Sequence, residues 1–133
     1  MKQGNEDIAR KMQYILNMRP VFNKEALFSD GTRYYRNPTE PKSGEKVMIS
    51  FRTQKNNVDT VYLVSGDQKY KMKVYKTTKG FDYYGTKIVM PEEIFRYHFE
   101  IQYGWATCYY TEQGVCSEPQ EWAQFEIYPN YHT

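Results

Sequence analysis

FRYHFEIQYGWATCYY, Phe95 to Tyr110, is the stretch on which the fold turns. Phe95, Tyr97, Phe99, Ile101 and Tyr103 alternate with Arg96, His98, Glu100 and Gln102. A period of two is that of a strand with one face buried, so the spacing predicts a central β-strand. Gly104 breaks the alternation, and Thr107 to Tyr110 resume a β-branched and aromatic run, which predicts a hairpin turning near Gly104. Trp105 falls at its tip, where an indole is hard to reach from the core, so the same stretch supplies a spine and a candidate contact surface.

Outward from this hairpin the chain repeats the texture of short strands and turn clusters. Asn23 to Phe28 and Thr32 to Arg36 read as short strands, separated by Ser29-Asp30-Gly31 and followed by the loop NPTEPKSG. Val47, Ile49 and Phe51 alternate with Met48, Ser50 and Arg52. Val58 to Val64, a lysine-bearing strand with Tyr70, Met72 and Val74, and FDYYGTKIVM (Phe81 to Met90) follow, and a last strand is expected around Trp122, Phe125, Ile127 and Tyr128. Turn signals at intervals of about 8 to 12 residues predict an all-β sandwich. Ahead of it, Ile8, Met12, Ile15 and Leu16 lie near helical spacing and Arg19-Pro20 ends the pattern, so residues 1–20 are expected to be a helical extension and 21–133 one β-domain.

The 133 residues suffice for one core but not for a barrel enzyme of about 250 residues. With 18 basic and 16 acidic residues interspersed, no strong field is available to steer nucleic acid or an anionic membrane, and neither is an expected partner. Lys69, Lys71, Lys73 and Lys76 lie at strand spacing and read as the solvated face of one strand. Cys108 and Cys116 flank the TEQGV turn and are expected to be free thiols. No apolar run approaches the ~20 residues of a membrane span, and the polar start MKQGNED does not resemble a signal peptide. A cytoplasmic location is expected of the chain as it stands, or an extracellular one if an export signal lies outside it.

Catalytic chemistry finds no foothold in the sequence. His98 and His132 are far apart, no His/Cys spacing suits a metal, and phosphate-loop and nucleophile-elbow motifs are missing, so no cofactor or metal is expected. Glu92-Glu93 and Glu118 with Glu121 read as solvated turn residues rather than a glycosidase pair. What stands out is an aromatic content of 17 %, including 14 tyrosines. Flat rings with a polar rim are the general design for packing on the C–H face of a sugar while its hydroxyls are hydrogen-bonded. Trp105 is the first candidate, with Tyr103 beside it on the core face of its strand. Tyr83 and Tyr84 are adjacent on a strand and must point to opposite faces, and Tyr34 and Tyr35 obey the same logic. Trp105, Tyr103, Tyr83, Tyr84 and Tyr35 are the candidate binding residues, each of which could instead thicken the core or cover its edges.

The pieces FSDGTRYYRNPTEPKSGEKVMISFRTQKNNVDTVYLV, FDYYGTKIVMP, FRYHFEI and YYTEQGV, in that order, resemble the N-terminal domain of neopullulanase, cyclomaltodextrinase and related α-amylases of glycoside hydrolase family 13. That domain is carbohydrate-binding module family 34. The resemblance spans about Asn23 to Tyr128. It implies an immunoglobulin-like antiparallel β-sandwich that is itself non-catalytic and precedes a (β/α)8 barrel cleaving α-1,4 or α-1,6 glucosidic bonds. It also implies one of two roles: binding starch or maltooligosaccharide, or packing against a catalytic domain or a second subunit of a homodimer. Some relatives hold calcium in this domain, but no cluster of acids assignable as its ligands stands in this sequence.

Overall fold

Residues 21–130 are described by the computed structural model, and the helix expected before Val21 lies outside them. Within this span the chain forms β1 (Arg36–Asn37), β2 (Lys46–Gln54), β3 (Thr60–Ser65), β4 (Gln68–Lys71), β5 (Lys73–Thr78), β6 (Phe81–Val89), β7 (Phe95–Tyr103), β8 (Ala106–Thr111), β9 (Gly114–Cys116) and β10 (Phe125–Ile127). All pairings are antiparallel. The first sheet has the order β1-β2-β6-β5; the second runs β4-β3-β7-β8-β9, with β10 also paired to β7.

The two sheets face each other through the alternating apolar sets that the sequence carries. Val47, Ile49 and Phe51 from β2 meet Tyr97, Phe99 and Ile101 from β7, all essentially without solvent contact. The Phe51 and Phe99 rings lie 4.8 Å apart across the interface. Burying each such side chain contributes about 1.5 to 3 kcal/mol, and the near-neighbour rings add to that through edge and tilted contacts. The structure is thus an antiparallel β-sandwich of the immunoglobulin-like kind, with the Phe95–Tyr103 strand in the interior of its sheet, as its alternation requires.

Four local expectations are corrected. Asn23 to Phe28 is not a strand: Asn23 Oδ1 accepts the Glu25 N–H and caps a 3-10 turn over Lys24–Ala26, leaving only a single bridge between Phe28 and Arg52. Thr32 to Arg36 is a turn closed by the Tyr35 and Arg36 N–H groups on the Thr32 carbonyl (2.9 and 2.8 Å), and pairing begins only at Arg36. The four lysines do not share a strand. Met72, 2 % exposed, points into the core and donates its N–H to Val61 O, and there the chain passes from β4 in one sheet to β5 in the other. The alternation runs unbroken through Met72, which is why a periodic reading joins what the topology separates. Near the C-terminus Trp122 sits in a 3-10 turn, Glu121–Ala123, and the last strand is only Phe125–Ile127.

Candidate functional site

The outer face of the first sheet is the one that departs from an ordinary solvated surface. Register decides which tyrosine of each pair reaches it. Tyr84 lies opposite Phe51 and packs against the core, whereas Tyr83 lies opposite Arg52 and faces outward. Arg52 is clamped there between two rings, its guanidinium carbon 5.2 Å from the Phe28 centroid and 4.8 Å from that of Phe81. A bulge between Val74 and Lys76 brings both Tyr75 and Lys76 to this face. Tyr75 lies over Gly85, where a Cβ would meet its ring and the Met48 methyl. Its hydroxyl donates to Ser50 Oγ at 3.0 Å. The Lys76 ammonium sits 4.4 Å above the Tyr83 ring centre.

Against this platform the turn at residues 30–35 forms a wall. Asp30 Oδ1 accepts both the N–H and the hydroxyl of Thr32 (2.9 and 2.6 Å), which fixes the turn. Tyr35 is buried against Phe28, edge to face, while Tyr34 stands 69 % exposed. Between wall and sheet lies a cleft of about 430 Å³ lined by Asp30, Thr32, Tyr34, Tyr35, Lys76 and Tyr83. Burial pushes the Tyr35 phenol above its ordinary value, with Arg52 opposing, so the hydroxyl remains protonated at neutral pH. The cleft therefore offers tyrosine rings beside hydroxyl, carboxylate and ammonium groups.

Trp105 and Tyr103 lie elsewhere, at the β7–β8 turn of the other sheet. Gly104 takes φ +58° there, and its N–H donates to Asp59 Oδ2 at 2.6 Å, which pins the turn to the start of β3. Trp105 is fully exposed. Tyr103 is stacked on Phe22 with ring centres 5.1 Å apart and planes at 22°, so one of its faces is already covered. The five candidates thus fall into three groups: Tyr35 and Tyr83 share the cleft, Trp105 and Tyr103 share the hairpin end, and Tyr84, half-buried, packs against the core. Sequence reasoning missed Lys76 and Tyr75, whose shared face depends on a bulge; the one signal of it is that Lys76 falls one residue out of phase with Lys69, Lys71 and Lys73. It also missed the exposure of Trp122, 76 % accessible in its turn.

A second cleft, about 470 Å³, opens where Phe28 to Gly31 meet Tyr110, Glu112, Phe125, Glu126 and Tyr128. Its guanidinium, from Arg36, donates through Nε and Nη2 to the hydroxyl of buried Tyr97 (3.1 and 2.8 Å). His98 Nδ1 is 3.1 Å from Gln124 Oε1 with its ring against Tyr109. Both thiols are free. Among the described residues no group of three or more His, Cys, Asp or Glu is placed to hold a metal ion, and no helix is long and apolar enough to cross a membrane.

Two antiparallel sheets, packed face to face with their aromatic patches on outer faces and turns, define an immunoglobulin-like sandwich domain. The chain belongs to the family described as "Alpha amylase, N-terminal ig-like domain", whose model matches residues 22–130. This domain is non-catalytic, the catalytic barrel of the parent enzymes lying elsewhere in their chains. Among solved structures it is similar to a cyclomaltodextrinase (TM-score 0.67, 24 % identity over 77 % of this chain and 19 % of that one). It is similar also to the maltogenic amylase from S. marinus (TM-score 0.67, 13 % identity, 85 % of this chain and 15 % of that one). A third likeness is to the type III pullulan hydrolase from Thermococcus kodakarensis (TM-score 0.50, 15 % identity, 76 % and 16 %). At these identities the likeness is one of fold, and the chain spans less than a fifth of the length of each of these proteins. The comparison with curated proteins finds no match.

Proposed function

We propose that this domain binds α-glucan, as the non-catalytic starch- or maltooligosaccharide-binding module of an amylolytic enzyme whose downstream (β/α)8 barrel hydrolyses α-1,4 or α-1,6 glucosidic bonds. The observation that carries the reading is the cleft between Tyr34, Tyr35 and Tyr83. It combines rings for the apolar face of a glucosyl unit with the polar groups of Asp30, Thr32 and Lys76 in the same lining, on a domain of the amylase N-terminal family. A small stacking contact rimmed by solvated hydrogen bonds gives an affinity of about 0.1 to 1 mM. One ring face removes on the order of 50 Å² of apolar surface from water, worth about 1.2 kcal/mol, so loss of one stacking tyrosine lowers affinity about eightfold.

The test is native affinity electrophoresis in soluble starch with residues 1–133, Tyr34→Ala, Tyr83→Ala and Trp105→Ala. Retardation that is reduced by the two tyrosine changes and kept by Trp105→Ala is the expected pattern. No retardation of the unaltered chain would refute glucan binding. Trp105 favours a second reading, a module that packs against a catalytic domain or a second subunit, because a fully exposed indole at a pinned turn suits a protein contact. Under that reading, removing the domain from the full enzyme changes its sedimentation while the isolated chain ignores glucan.

A further inference from the structure

The outer face of the first sheet is also a segregated field of positive charge. Register places Lys46, Arg52, Lys73 and Lys87 on it, with Lys76 brought there by the bulge. The strand residues that share this face include no acid, in a chain that has 16 acidic and 18 basic residues. Asp30, at the margin, is hydrogen-bonded to Thr32. The ion pairs between described residues, Lys69–Glu100 and Arg96–Glu126, both lie on the second sheet. Lys46, Lys73, Lys76 and Lys87 are exposed.

Their positions form a line. Lys87 lies opposite Met48, so Lys46 is its diagonal neighbour on one side; Lys73 lies opposite Gly85 and is its diagonal neighbour on the other. Diagonal steps across neighbouring strands are about 7 to 8 Å. Beyond Lys73 the bulge delivers Lys76 onto the Tyr83 ring, at the edge of the tyrosine cleft. Four like charges held this close repel one another and cost stability unless an anion lies among them. A neutral glucan leaves three of them with nothing to do, because only Lys76 reaches the cleft.

We infer that the preferred ligand of this face is an α-glucan carrying phosphate monoesters, its glucosyl ring in the tyrosine cleft and its phosphates along the line Lys46, Lys87, Lys73. The inference rests on the glucan-binding reading above and adds the charge of the polymer to it. A phosphate monoester bears between one and two negative charges at neutral pH and accepts charge-assisted hydrogen bonds from ammonium groups. The contacts are solvent-exposed and therefore modest singly and sensitive to salt.

The test uses the 1–133 chain in affinity electrophoresis through phosphate-bearing amylopectin and through the same polymer after phosphatase treatment. Retardation is expected to be about 3- to 10-fold stronger in the phosphorylated polymer at low ionic strength, with the preference vanishing at about 0.5 M salt. The double variant Lys73→Gln/Lys87→Gln, which touches neither the core nor the cleft, is expected to bind both polymers as the unaltered chain binds the dephosphorylated one. Equal retardation in the two polymers overturns the phosphate inference and leaves glucan binding standing; absence of retardation in both overturns both. A preference that survives the double variant also overturns it. So does inorganic polyphosphate or RNA that displaces the protein from the phosphorylated polymer while dephosphorylated amylopectin does not compete, since the face would then be a general polyanion surface.

Discussion

Gly85 is the position where the architecture of the outer face can be tested most directly. An alanine Cβ there would overlap the Met48 methyl and lie 2.8 and 3.0 Å from Cδ1 and Cε1 of Tyr75. Met48 can move away cheaply, because only the end of a flexible side chain is involved. Tyr75 cannot, since its hydroxyl is tied to Ser50 Oγ at 3.0 Å, and swinging the ring aside breaks a bond worth about 0.5 to 1.5 kcal/mol. Against this, replacing glycine by alanine inside a strand gains about 0.5 to 1 kcal/mol from the unfolded state. Gly85→Ala alone is therefore nearly neutral, within about 1 kcal/mol. In a Tyr75→Ala background nothing but Met48 opposes the methyl, and the same change should stabilise. A double-mutant cycle by urea denaturation should then give a coupling of about 1 kcal/mol between positions 75 and 85. Additivity within about 0.3 kcal/mol would show that Tyr75 does not lie over Gly85, and with it would go the prop that stands 6.4 Å from the Tyr83 ring.

Two further predictions concern buried and half-buried phenols. Arg36→Met should cost about 1 to 3 kcal/mol, because it strands the hydroxyl of fully buried Tyr97, and Tyr97→Phe in the same chain should recover most of that loss in urea melts. Burial raises the phenols of Tyr97, Tyr84, Tyr110 and Tyr35 above their ordinary value of 10.0. The unfolded chain then ionises first, so their contribution to stability is complete below pH ~10 and is lost as pH climbs from there through the folded values. The urea midpoint should be insensitive to these groups near neutrality and fall steeply on the alkaline side, with phenolate absorbance rising in step with unfolding; tyrosines that ionise at their ordinary value in the folded protein would refute this.

What the sequence made legible, and what it hid, divides along one physical line. Alternation records which way a side chain points relative to its own strand, and so Phe95 to Ile101, Val47 to Phe51 and the opposed pair Tyr83-Tyr84 could all be read correctly. It does not record which strand lies alongside. Lys69, Lys71 and Lys73 keep one phase straight through Met72, yet the first two end on one sheet and the third, with Lys76, on the other, because the change of partner at Met72 leaves the period untouched. The same blindness hid the cleft: Tyr35 meets Tyr83 only because β1 and β6 flank β2 in one sheet, a relation of residues 48 positions apart. Trp105, by contrast, drew attention because a lone indole after a glycine is visible locally, and it is exposed as expected. Local conspicuousness and joint placement are different properties. A sugar site needs several groups converging within the reach of one ring, so the cleft, which no local motif announces, is the stronger candidate for ligand binding, and the hairpin indole is left as the stronger candidate for a protein contact.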